Sequence, residues 1–167
     1  MTTDLYGGRL DRAVRLREAG RAEEARELLL ELRAEFPDDA VVAYQTAWVH
    51  DVLDREAEAV AHYRAAIAGD LPAVDLRDAM LGLGSTLRAL GRDGEAAAVF
   101  ERALARFPGD RPLRVFRAML RYNTGDVREA VADLLRLLGE TGGDPDIRQY
   151  RRAIDHYAAD LDRSWLR

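Results

Sequence analysis

The chain contains no cysteine and no lysine among its 167 residues. Without cysteine it has neither a disulfide framework nor a thiolate zinc site. Without lysine it has no Schiff-base chemistry and no phosphate loop of the usual kind. No apolar run approaches the roughly 20 residues of a membrane span. The segment Met1–Asp4 lacks the charged and then apolar pattern of a signal peptide, so we expect a cytoplasmic protein that does not bind membranes.

An excess of basic charge is also missing, because the net charge is −5. A nucleic-acid surface needs basic side chains to neutralise phosphates, so we expect no nucleic-acid partner. Hydrophobic residues make up 48% of the chain and charged residues 33%. This composition supports a packed core and predicts one compact domain or one short repeat array. No stretch alternates with a period of two, so we expect no strand.

Four markers of the same kind recur along the chain. Each is a glycine, or in one case an aspartate, followed five residues later by alanine: Gly20 and Ala25, Asp54 and Ala59, Gly91 and Ala96, Gly125 and Ala130. The markers are 34, 37 and 34 residues apart. The pairs Phe36-Pro37 and Phe107-Pro108 recur at the same place in their units, with the proline 17 residues after Gly20 and Gly91. This recurrence indicates a short array of repeated units.

The segments between the markers have the three-to-four spacing of helices. The marker glycines fit left-handed helix stops, and Asp93, Asp126 and Asp144 are predicted to cap the following helices. Asp126 and Glu129 also have the spacing of a capping box. The 37-residue interval has two explanations. Either residues 74–76 lengthen the first helix of the third unit, which we favour, or the loop after Gly69 is longer.

These residues resemble the tetratricopeptide repeat family, and most of all its small bacterial members. The third unit carries the family pattern in Gly84, Gly91, Ala96, Phe100, Ala103 and Pro108, and the second unit in Ala47, Ala59, Tyr63 and Ala66. The resemblance implies an all-α, right-handed solenoid of antiparallel helix pairs forming a single domain over residues 1–167. The repeats would span about 6–39, 40–73, 77–110 and 111–144, followed by a capping helix at about 145–163.

The predicted last helix has one apolar stripe, formed by Ile147, Tyr150, Ile154, Tyr157 and Leu161. Because the end of a repeat array needs a polar cover, we favour a capping role for this helix. The alternative is a self-associating structural module that dimerises through this stripe. In that case the Ser164–Trp165–Leu166 end would also pack against the second copy.

Arginines occupy positions where the family pattern has apolar residues: Arg9 and Arg12 in the first unit, and Arg114, Arg117 and Arg121 in the fourth. An unpaired charge is costly to bury, so these side chains cannot lie alone in a core. In the first unit we expect solvent exposure. In the fourth, we favour a rotated helix that turns Leu113, Phe116 and Leu120 inward and exposes the arginines. The alternative is pairing with carboxylates such as Asp155 and Asp162.

The resemblance also implies a concave groove, lined by the first helix of each unit, that holds a segment of another protein. Its positions here are Leu10, Val14, Tyr44, Gln45, Trp48, Asp51, Asp78, Leu81, Ser85, Arg88, Val115, Phe116, Met119 and Tyr122. Tyr44 and Trp48 are one turn apart and face the same way. Large apolar residues are usually buried, so Trp48 and Phe116 could instead be core residues.

We therefore expect a non-enzymatic interaction module that binds an apolar or amphipathic peptide or helix. The groove positions are largely apolar, which argues against the acidic chaperone tail that some family members bind. The histidines suggest no catalytic or metal site, since Glu58 and His62 lack a third ligand, and no cofactor is implied. A remaining hypothesis is an anion-binding stripe of Arg114, Arg117 and Arg121, with an acidic protein tail as its ligand.

Overall fold

The computed structural model describes the backbone of residues 2–161 and the side chains of residues 6–161. Ten helices and no strand occur in this part of the chain. The helices are α1 (Thr2–Glu18), α2 (Ala22–Glu35), α3 (Ala40–Val52), α4 (Glu56–Ala68), α5 (Ala73–Ala89), α6 (Asp93–Arg106), α7 (Arg111–Asn123), α8 (Val127–Thr141), α9 (Pro145–Gln149) and α10 (Arg151–Ala159). Between residues 2 and 161, none of them has the length and apolarity needed to cross a bilayer.

The helices belong to two compact units, Met1–Val99 and Phe100–Arg167, whose boundary lies within α6. In the first unit, each helix from α1 to α4 packs against the next, and the first helices α1, α3 and α5 also touch in sequence. In the second unit, α7 packs against α8, and α8 packs against α10. The predicted all-α architecture of adjacent helix pairs is therefore confirmed.

The repeat phase has a direct structural counterpart at the four markers. Their backbones are all left-handed, with φ of 78° at Gly20, 55° at Asp54, 68° at Gly91 and 88° at Gly125. Glycine adopts this conformation without strain, and aspartate tolerates it better than most residues do. The alanines five residues later are all buried. The substitution of aspartate for glycine in the second unit therefore keeps the turn, as the sequence predicts.

The long interval between the second and third markers comes from a longer helix. Helix α5 has 17 residues, whereas α3 and α7 have 13 each. The loop before α5 spans residues 69–72 and is as long as the loops at 36–39 and 107–110. The favoured explanation is therefore confirmed, and the longer loop is excluded.

The predicted helix caps are only partly present. Asp144 caps α9 by accepting hydrogen bonds from the amides of Asp146 and Ile147. Asp126 precedes α8 but makes no such bond, because its ψ of 53° departs from the extended conformation that a capping residue needs. Asp93 lies inside α6 as its first residue. Extended backbone occurs instead at Asp39 and Asp110, which cap α3 and α7.

The structure divides the predicted last helix at Tyr150, into α9 and α10. Helix α10 covers part of α8, where the Arg136 guanidinium donates a hydrogen bond of 3.1 Å to the Ala158 carbonyl. Tyr150 and Tyr157 are exposed. The predicted end of the helix at residue 163, Asp162 and the Ser164–Trp165–Leu166 segment lie outside the described residues.

Candidate functional site

The first helices of the unit Met1–Val99 present Trp48 at its surface. Trp48 lies on α3, between α1 and α5, and 41% of the residue is exposed. Tyr44, one turn earlier, is only 3% exposed, although its ring centroid lies 5.7 Å from that of Trp48. The two side chains therefore face the same way, as predicted. Tyr44, however, is buried and supports Trp48, so the prediction that it contacts a partner is corrected.

Arg17 of α1 lies over the indole of Trp48. Its guanidinium carbon lies 3.6 Å from the ring centroid, which is the geometry of a cation–π contact. The same guanidinium donates a hydrogen bond of 2.7 Å to the side-chain carbonyl of Gln45. Burial lowers the pKa of Arg17. The indole thus contacts both a cation and a phenol before any partner arrives.

Beneath Tyr44, a hydrogen-bonded network joins three helices. The hydroxyl of Tyr63 on α4 donates a bond of 2.7 Å to Asp51 on α3, and the hydroxyl of Thr86 on α5 lies 2.9 Å from both Asp51 oxygens. Burial raises the pKa of Asp51, and it also raises the pKa values of Tyr44 and Tyr63. The carboxylate of Asp51, which was predicted to line the groove, therefore links the three helices through these hydrogen bonds.

The predicted groove residues of α5 lie partly buried beside this network. Leu81, Ser85 and Arg88 are all half-buried. Asp78, one turn before Leu81, accepts a hydrogen bond of 2.9 Å from its neighbour Arg77. The carboxylates of Asp51 and Asp78 are therefore hydrogen-bonded within the unit, while the indole of Trp48 remains accessible.

The predicted groove residues of the unit Phe100–Arg167 lie on α7. Met119 and Tyr122 are exposed, whereas Val115 and Phe116 are half-buried. The inward side of the same helix carries Leu113 and Leu120, both fully packed. The burial of Leu113 and Leu120 agrees with the rotated helix that the sequence favoured. Phe116, which was also expected to face inward, is only half-buried.

The arginine stripe of α7 is paired with carboxylates of α8. Arg114 bonds to Glu140 at 2.7 Å, while Arg117 and Arg121 bond to Asp133 at 3.1 and 2.6 Å. The expectation of freely exposed arginines is therefore wrong, because α8 brings carboxylates within reach. Pairing is correct, but with other partners than the two predicted.

Neither predicted partner of the arginine stripe fills that role in the described residues. Asp155 lies 3.9 Å from Arg151 of its own helix, and Asp162 is outside the described part. An anion could reach the stripe only by displacing carboxylates that already hold it.

The first unit also pairs an arginine with carboxylates of the following helix. Arg9 bonds to Glu35 at 2.7 Å and to Glu31 at 3.2 Å, while Arg12 is exposed.

His50 and His62 lie together where α2, α3 and α4 meet. Nδ1 of the buried His50 donates to the Thr46 carbonyl at 2.7 Å, and its Nε2 lies 3.3 Å from Glu58 and 3.4 Å from Arg26. The two imidazole centroids are 5.0 Å apart. In the described part of the chain, no three histidine or carboxylate side chains come together as metal ligands.

The environment of His62 predicts a loss of stability in mild acid. Burial, His50 and Arg33 lower its pKa to about 4. An unfolded histidine binds a proton near pH 6.5, so stability falls as pH decreases from about 6.5 towards 4. After allowance for the partial exposure of the ring, we expect a loss of about 1–2 kcal/mol.

Urea unfolding of the wild type and of His62→Gln at pH 7.0 and 4.5 measures this contribution. The variant should lose less stability than the wild type between the two values, because glutamine takes up no proton. Equal losses in the two proteins would assign the acid sensitivity to other groups.

Comparison with models of protein families gives a match. A family model described as Tetratrico peptide repeat matches residues 40–161, well over half of the chain. The matched region starts at the first residue of α3 and ends two residues beyond α10. None of the curated proteins matches the chain.

Proposed function

The chain belongs to the tetratrico peptide repeat family, and from this premise we propose that it binds a segment of a partner protein on the face around Trp48. Members of this family generally act as non-enzymatic scaffolds for protein–protein interaction. We place the site on α1, α3 and α5, the first helices of the unit Met1–Val99. A cytoplasmic location and the likeness to small bacterial members stay predictions.

The exposed indole of Trp48 is the observation that carries this proposal. Tryptophan, tyrosine and arginine dominate the few residues that supply most of the energy of protein interfaces. Here Arg17 and Tyr44 both contact Trp48, so binding would cost little further ordering of the side chain. Leu81 and Ser85 of α5 would contribute the adjoining surface.

The charge pattern around Trp48 favours an apolar or amphipathic segment as the ligand. The charged groups near Trp48 are hydrogen-bonded within the unit. The Arg17 guanidinium donates to Gln45, and the carboxylates of Asp78 and Asp51 accept from Arg77 and Tyr63. A strongly acidic or basic peptide would have to compete with these internal contacts. An amphipathic helix could instead lay its apolar side against the indole.

Affinity capture followed by peptide mapping tests the site. The wild type, Trp48→Ala and Val74→Ala are used to capture partners from a lysate of the native host, and peptides from each captured protein are then titrated. Val74 is an exposed aliphatic residue at the start of α5 and provides a matched control. We expect Trp48→Ala to weaken binding by about 30-fold, as for a hot spot worth about 2 kcal/mol, and Val74→Ala to bind like the wild type. Equal affinities in all three proteins would remove Trp48 from the site.

Self-association through the last helix is a weaker alternative. Tyr150 and Tyr157 are exposed, which favours it. However, the small residue Ala158 is buried, and Ile154 lies close to Gly139 of α8, so α10 already uses much of its apolar side within the chain. Loss of dimerisation in Tyr157→Glu alone would support this alternative.

A further inference from the structure

Helix α8 exposes a continuous row of aliphatic side chains. This row, named the open α8 face, consists of Val127, Val131, Leu134 and Leu138. The spacing of four, three and four residues places all of them on one side of the helix. Each residue is between 39% and 44% exposed, and none is charged. A contiguous apolar surface of this kind indicates an interaction site.

The repeat phase shows that this side of α8 is covered in the earlier units. Leu134 follows the marker alanine by four residues, as do Leu29 in α2, Tyr63 in α4 and Phe100 in α6. Those three side chains are almost completely buried. Leu29 belongs to a core cluster with residues of α3, and Tyr63 lies against Gly82 of α5. In the unit Met1–Val99, therefore, the first helix of the next pair covers this side of each second helix.

Helix α10 does not take that place on α8. Its contacts with α8 include Arg136, which donates a hydrogen bond to the Ala158 carbonyl, and Gly139, which lies beside Ile154. Arg136 is two residues from both Leu134 and Leu138, which is about 200° around the helix. The last described helix therefore covers a different side of α8 and leaves the open α8 face available to another helix.

We propose that a second copy of the chain occupies the open α8 face, so that two α8 helices pack antiparallel across a twofold axis. The spacing of the row is the same in both directions, so this pairing sets Val127 opposite Leu138 and Val131 opposite Leu134. Each smaller side chain then meets a larger one. A twofold interface uses the same patch on both copies, and an uncharged patch does not repel itself.

Helix α1 of a second copy fits this face poorly. Helix α1 carries Arg9, paired with Glu35, and the exposed Arg12. A head-to-tail contact would bury these charges against aliphatic side chains, which is costly. The twofold pairing avoids this cost and also closes the assembly at two copies.

The area of the face predicts a weak dimer. Four partly exposed aliphatic side chains provide much less than the roughly 800 Å² per partner of a standard interface. We expect a dissociation constant of about 100 µM. This inference concerns the unit Phe100–Arg167 and does not depend on the peptide site at Trp48.

Sedimentation from about 10 µM to about 1 mM tests the dimer. The wild type should change from monomer to dimer over this range. Val131→Glu and Leu134→Arg should each stay monomeric, because either charge would lie unpaired against an aliphatic residue. Mixed together, the two variants should associate, since the twofold pairing sets the introduced carboxylate of one variant against the introduced guanidinium of the other. Circular dichroism confirms that each variant is folded.

Tyr157→Glu is the matched control, because it adds a charge at an exposed apolar position on α10. We expect it to dimerise like the wild type. A wild type that stays monomeric up to about 1 mM would overturn the proposal. So would a dimer that Tyr157→Glu abolishes and Val131→Glu preserves, or a mixture of the two charged variants that fails to associate.

Discussion

Replacing Gly82 by alanine is expected to lower the free energy of unfolding by about 2–4 kcal/mol. A Cβ atom at this position would lie 2.5 Å from both the Cζ and the hydroxyl oxygen of Tyr63. The ring cannot easily move away, because Tyr63 is buried and its hydroxyl is bonded to Asp51 at 2.7 Å. The substitution would therefore force α4 and α5 apart, break that hydrogen bond, or do both.

Urea unfolding of Gly82→Ala and Gly94→Ala measures this effect against a matched control. A Cβ atom at Gly94, which is also helical, would meet no atom within 4 Å. Gly94→Ala should therefore be neutral or gain up to about 1 kcal/mol from helix propensity. Adding Tyr63→Leu to Gly82→Ala should cost less than the sum of the single changes, because the clashing ring is gone. Wild-type stability in Gly82→Ala would contradict the close approach of α4 and α5.

Removing the Asp133 carboxylate is expected to cause the second large loss of stability. The Asp133→Ala variant should be less stable than the wild type by about 2–3 kcal/mol. This buried carboxylate lies within 3.5 Å of Arg117, Arg121 and Arg136, so its loss leaves several positive charges close together without their shared partner. The three guanidinium groups are about a third exposed, and water therefore limits the loss.

Asp155→Ala is the control for this prediction, because Asp155 forms a surface pair with Arg151 at 3.9 Å. Exposed pairs of this kind contribute about 0.5 kcal/mol or less. Thermal and urea unfolding should separate the two variants clearly. Equal, small losses in both would mean that the arginines of α7 do not depend on Asp133, and would restore the hypothesis of an available anion-binding stripe.

The architecture was predictable because its signals are local. A left-handed turn needs glycine or a tolerant residue, and the helix that follows needs a small residue where it meets its partner. Both requirements recur at a nearly constant interval, so the sequence alone aligns Asp54 with the glycines, and its φ of 55° agrees with that alignment. The length of α5 follows from the same spacing. Properties confined to one or two helical turns are visible in the sequence.

Exposure and pairing were harder to predict because they depend on neighbouring helices. Tyr44 and Trp48 share one face, yet the packing of α4 and α5 buries the first and leaves the second accessible. Likewise, α8 rather than α10 supplies the carboxylates for the arginines of α7. One missed residue did have a signal: Arg17 continues the row of Leu10 and Val14 by one further turn of α1.

The most direct test of partner binding at Trp48 is a fluorescence titration. The chain has two tryptophans, so Trp165→Phe leaves Trp48 as its one indole fluorophore. A peptide from a captured partner should shift the Trp48 emission to shorter wavelength as the ring loses contact with water. With a fluorescent label on the peptide as the readout instead, Trp48→Ala should bind it about 30-fold more weakly. Tight binding that leaves the emission unchanged and is unaffected by Trp48→Ala would contradict the account.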